Sequence, residues 1–162
     1  MTISYSAAGL ATLIKNLGHK VLFEADNGRY FIEQLNADNM PDIVLMDINM
    51  PQMDGYDTSK WLKEQHSSVK VLALSMYNNY SSIIRMLRSG AKGYILKDSH
   101  PLELQNAIEA LMNNGFYYSD VVNGKLIYAI NKMDNGDIDL HTLTQLTERE
   151  NIFKVRLYKI NV

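Results

Sequence analysis

Short β-rich runs alternate with helix-period segments along the first two thirds of the chain, and few architectures accommodate that alternation. The runs are KVLFEA (20–25), IVLM (43–46), VKVLAL (69–74) and GYIL (93–96). The IVLM run is continuously apolar, the pattern of a strand buried on both faces. Leu10, Leu13, Ile14 and Leu17 recur at the i, i+3, i+4, i+7 spacing of an amphipathic helix, which Gly18 is placed to end. Further helices are expected over about 29–36, 56–66, 80–89 and 101–113, the last announced by Ser99 and Pro101. Strands and helices of these lengths imply right-handed βαβ crossovers, so the expected class is α/β, a doubly wound parallel sheet with helices on both faces.

Beyond Gly115 the pattern changes. Residues 119–133 read as one more helix despite Gly124, and DNGDIDLHT (134–142) as a polar, acidic linker. In the tail, LTERENIFKVRLYKINV, Thr147 and Glu150 have capping-box spacing, which predicts a helix. The expected organisation is a domain over 1–115, a helix and linker over 116–142, and a separate segment over 143–162. Sixteen basic and eighteen acidic residues give a net charge of -2, so the chain has no broad electrostatic footprint for nucleic acid. There is no cysteine, which excludes disulfides, thiol catalysis and cysteine metal sites. No apolar stretch approaches the ~20 residues of a membrane span, and MTISYSAAGL lacks the features of a signal peptide; the expected location is cytoplasmic.

In an open parallel sheet, ligands bind outside the carboxyl ends of the strands. Asp47 follows IVLM, Ser75 follows VLAL and Lys97 follows GYIL. A carboxylate, a hydroxyl and an ammonium on strand ends suit a phosphoryl group: Asp47 to attack it or to ligate a metal, Ser75 to donate to an oxygen, Lys97 to balance charge. Taken singly, an Asp after a strand usually caps a turn and a Lys there is usually solvated. Their equivalent places in βα units favour a shared site.

PDIVLMDINMPQMDG, VLALSMYNN and SGAKGYILKDS resemble the receiver domain of bacterial two-component response regulators of the NarL/LuxR type, over roughly residues 9–115. The resemblance implies a flavodoxin-like receiver fold with strand order 2-1-3-4-5. It implies that Asp47 accepts a phosphoryl group from a sensor histidine kinase, that Lys97 pairs with the phosphate, and that Ser75 is the switch hydroxyl. Tyr94 matches the aromatic switch, with a plain core aromatic as the alternative. Pro51 and Gly55 match the turn after the acceptor, the Asn49 backbone carbonyl matches a Mg²⁺ ligand beside Asp47, and Asn49 and Tyr77 match positions that tune dephosphorylation. The surface of helix 80–89, strand 93–96 and helix 101–113 would then control a transcriptional output. No enzymatic activity is implied beyond self-phosphorylation and dephosphorylation at Asp47.

Two departures from the family qualify that expectation. Its adjacent acidic pair would fall at about Met1 and Thr2, and no acid precedes Glu24, so the first strand is short or missing and Mg²⁺ binding should be weak. That strand is central, and without it two neighbours expose unpaired edges, which leaves TISYS or another chain to fill the gap. Glu24 and Asp26 read as solvated turn acids. LTERE resembles the opening of a LuxR-type helix-turn-helix domain, yet no recognition helix follows, so DNA is a partner only for a complete domain. Arg149, Lys154, Arg156 and Lys159 read as a solvated helix face. The expected partners are a histidine kinase and a second copy of the chain, with no membrane. The alternative is a phosphorylation-independent interaction module with a defective metal site. A hydrolase of the haloacid dehalogenase type would want a second Asp where Asn49 stands.

Overall fold

The computed structural model describes residues 7–135 and 157–161. In chain order the elements are α1 (Ala7–Asn16), β1 (Lys20–Ala25), α2 (Gly28–Gln34), a 3₁₀ turn (Ala37–Asn39), β2 (Ile43–Asp47), α3 (Gly55–Gln65), β3 (Lys70–Ser75), α4 (Tyr80–Arg88), β4 (Gly93–Leu96), α5 (Pro101–Asn114), β5 (Tyr117–Tyr118), α6 (Asp120–Asp134) and β6 (Leu157–Asn161). The α/β expectation holds, and so does a helix after the receiver region.

Helix starts follow local chemistry. Side-chain oxygens of Asn27, Asp54, Asn79 and Ser119 accept from backbone N–H groups in the first turns of α2, α3, α4 and α6. Pro101 opens α5 with His100 as its cap, and Gly115, at φ 84°, ends it in the left-handed conformation. Strand alternation then sorts the core into two layers. Ile43 and Leu45 pack with Leu10 and Ile14 of α1 and Leu104, Ile108 and Leu111 of α5. Val44 and Met46 pack on the other face with Phe31, Leu62, Ile83 and Tyr94. The side chains of β2 are buried throughout, as its unbroken apolar run predicts.

The sheet order is β1-β6-β2-β3-β4-β5. Strands β2, β3, β4 and β5 pair in parallel, whereas β6 is antiparallel to both of its neighbours, β1 and β2. Strands β1, β2, β3 and β4 take the places of strands 2, 3, 4 and 5 of the 2-1-3-4-5 pattern, β6 takes the place of its first strand, and β5 adds a sixth at the edge.

The tail expectation is therefore corrected. Residues 157–161 form a strand inside the receiver sheet rather than a helix, which takes Lys159 off the expected helix face and pairs it with Val44. Neither TISYS nor another chain is needed to fill the gap. Backbone pairing explains the difference: two facing strand edges satisfy the N–H and C=O groups of residues 157–161 on both sides. TISYS, Met1, Thr2, linker residues 136–142, the Thr147/Glu150 box, Arg149, Lys154 and Arg156 lie outside the described residues.

Candidate functional site

Strand β2 carries Asp47 out of the buried sheet into a closed turn. The Gly55 N–H donates to the Ile48 carbonyl at 2.9 Å, drawing the start of α3 back over the strand end. A Cβ at Gly55 would run into the Asp47 carbonyl oxygen and the Ile48 Cα, so only glycine permits this approach. Gln52 adopts φ 64° at the apex of the loop, an uncommon conformation for a residue with a Cβ. Asp54 receives the Asp57 N–H at 2.9 Å and sets the helix start.

The Asp47 side chain is only 2% exposed, and its Oδ1 accepts from Lys97 Nζ at 2.8 Å, with Lys97 itself 5% exposed. The Asn49 N–H reaches the same oxygen at a long 3.4 Å. Oδ2 is buried and has no hydrogen-bond partner. Burial pushes the Asp47 carboxyl above the ordinary carboxylate range, with the Lys97 ammonium pulling in the opposite direction. Asp54 is likewise raised, mainly by burial.

The remaining expected residues converge on Tyr77. Its N–H donates to Ser75 Oγ at 2.9 Å, its carbonyl accepts from the Tyr94 hydroxyl at 2.7 Å, and its own hydroxyl accepts from Asn49 Nδ2 at 3.3 Å. Ser75 and Tyr94 are both buried, Tyr94 completely, so its ring points into the core. A continuous path thus runs from Asp47 through Asn49 and Tyr77 to Ser75 and Tyr94. Sequence reading missed Asn79, whose Oδ1 accepts from the hydroxyls of Ser81 and Ser82 as well as the Ser82 N–H, fixing α4 just beyond this path. It also missed β5, whose only signal is a pair of β-favouring tyrosines before the Ser119 cap.

For a divalent cation the described donors fit poorly. No three Asp, Glu or His side chains cluster among the described residues, and the carboxylate at the strand end is already tied to Lys97. Asp26 lies exposed beyond β1, lining a shallow cleft with Asn27, Arg29, Tyr30, Glu33 and Gln52.

The chain matches the response regulator receiver domain family over residues 4–109. It is 32% identical over 118 residues to the transcriptional regulatory protein DegU of Brevibacillus brevis, covering 73% of this chain and 50% of DegU. Against the nitrate/nitrite response regulator NarL of Escherichia coli K12 it is 32% identical, covering 80% of this chain and 59% of NarL. The chemotaxis protein CheY of Bacillus subtilis is 34% identical, with 61% of this chain and 78% of CheY covered. The chain thus spans 39% to 65% of the length of the transcriptional regulators it matches. Among solved structures, the isolated receiver domain of RcsB from Salmonella enterica serovar Typhimurium superposes with a TM-score of 0.66 at 22% identity, covering 74% of this chain and 88% of that one. A LuxR-family two-component response regulator from Aurantimonas sp. SI85-9A1 gives 0.52 at 26% identity, with 64% and 71% covered. The buried Asp47–Lys97 pair at the carboxyl edge of a doubly wound sheet therefore stands in a chain that belongs to the response regulator receiver domains of two-component systems.

Proposed function

We propose that Asp47 is the phosphoacceptor of this receiver and takes its phosphoryl group from a sensor histidine kinase. The observation that carries the reading is the arrangement around Asp47: one carboxylate oxygen is held by Lys97 at 2.8 Å, and the other, Oδ2, is buried with no hydrogen bond to lose. Oδ2 attacks the phosphorus, the bond from phosphorus to the donor breaks, and the donor leaves with the electron pair. Lys97 stays beside the new acyl phosphate and offsets its charge. Ser75 Oγ, on β3 between the two, turns from the Tyr77 N–H to a phosphoryl oxygen. That move loosens Tyr77, the residue on which Tyr94 and Asn49 also depend.

Receiver domains are regulatory modules, and the output here is a changed surface rather than a product. Tyr94 leaves its bond to the Tyr77 carbonyl, and the α4, β4 and α5 face changes its partner preference to act on transcription. Residues 1–115 together with β6 form the receiver, 116–142 hold α6 and a linker, and 143–162 hold the start of a helix-turn-helix region, within which 157–161 form β6. Receiver domains typically bind Mg²⁺. With Asp47 and the Asn49 carbonyl as its strand-end donors, this chain binds it weakly, and no step above is routed through it.

A second reading has its own observation. The absence of an acidic cluster among the described residues and the near-complete burial of Asp47 favour a module that acts through its surfaces without phosphorylation. Intact mass after incubation with acetyl phosphate, with and without Mg²⁺, separates the two. A gain of one phosphoryl group that Asp47→Asn abolishes supports the acceptor role; no gain under either condition leaves the surface module.

A further inference from the structure

We propose that β6 is an exchangeable strand, and that the slot between β1 and β2 takes the β6 of a second copy to give a strand-swapped dimer. Strand β6 lies in the middle of the sheet yet is joined to it unlike any other strand. It is antiparallel to both neighbours, whereas every other pairing in the described sheet is parallel. Its pairing is incomplete. Against β2 it matches only Ile43, Val44 and Leu45 with Ile160, Lys159 and Tyr158, and against β1 the register shifts between Val21 and Glu24. Its composition, LYKIN, is also more polar than the fully buried IVLMD of β2 beside it.

Exchange between copies would replace each pairing by an identical one, four positions against β1 and three against β2, so no ladder is lost in the swapped form. The departure of β6 would expose two long edges flanking the core, a template that the same segment of another molecule satisfies identically. Reach is no obstacle, because residues 136–156 between α6 and β6 extend to as much as roughly 70 Å, beyond the ~40 Å diameter of a domain this size. In the swapped dimer, Tyr158 of one copy pairs beside Leu45 of the other, two residues before Asp47.

The lack of native cysteine makes a clean test available. Lys20 and Asn161 face each other in the β1–β6 register, at a spacing a disulfide can bridge. Lys20→Cys and Asn161→Cys chains, each otherwise intact, are unfolded together, refolded and oxidised. Exchange predicts a disulfide-linked heterodimer of twice 18.5 kDa, absent when either variant is refolded alone. The doubly substituted chain, Lys20→Cys/Asn161→Cys, serves as the companion measurement. If it closes on itself as a monomer while the mixture yields no heterodimer, β6 stays in its own sheet and the proposal is wrong. No link in either format overturns it as well, because β6 would then not lie beside β1. Neither result depends on phosphorylation, so the acceptor role of Asp47 stands or falls separately.

Discussion

Lys97 and Asp47 are more than nine-tenths buried, so their pairing has thermodynamic as well as chemical consequences. Removing one charge from such a pair strands the other. Lys97→Met should lower stability in urea unfolding by ~3 kcal/mol at pH 7, and the double variant Asp47→Asn/Lys97→Met should recover most of that loss. The sign of the pH effect follows from the direction of the Asp47 shift. A carboxyl whose folded pKa is raised holds its proton more tightly in the folded state. It contributes stability below its ordinary value of 3.8 and loses it as pH rises through the folded value. The Lys97→Met deficit should accordingly shrink as pH falls from 7 and Asp47 becomes neutral. The attacking form is the carboxylate, so labelling by acetyl phosphate should fall off on the acid side at a pH above 3.8. Gly55→Ala tests the turn: its Cβ meets backbone rather than a yielding side chain, and calorimetry should show a loss of ~1–3 kcal/mol together with slower labelling of Asp47.

Elements that close the sheet carry a different kind of sensitivity. Ile160 pairs with both Val21 and Ile43, so Ile160→Pro removes a backbone donor from the middle of the sheet. Urea unfolding should show a loss of about 3 kcal/mol, and the variant should aggregate through the edges of β1 and β2. An unchanged midpoint would mean that β6 contributes nothing to the closed sheet. Helix α6 docks on α4 through Ala129, Ile84, Leu126 and Met133, with Tyr128 stacked on Tyr80 at 5.2 Å between ring centroids. It therefore covers part of the surface through which the switch would be read. Its other side leaves Val121, Ile127 and Ile130 exposed.

At the scale of the molecule, the path from Asp47 through Asn49 and Tyr77 to Tyr94 links the strand-end site to the α4, β4 and α5 face. Hydrogen exchange followed by mass spectrometry, before and after acetyl phosphate, should show protection changing at α4, β4, α5 and the docked α6 while α1 and α2 stay constant. Tyr94→Phe removes the bond to the Tyr77 carbonyl and should reproduce part of that pattern without phosphate. Among the described residues no helix is long and apolar enough to cross a membrane. Sequence by itself determined the βα alternation, the limits of β1 and β4 and the placing of Asp47, Ser75 and Lys97 on strand ends, because period, caps and apolar runs are local signals. The fate of the tail was not legible there. That residues 157–161 form a strand depends on two edges more than a hundred residues away in sequence. The Asp47 ion pair and the Tyr77 hub were likewise decided by tertiary structure, since each joins side chains that only the closed sheet brings within bonding distance.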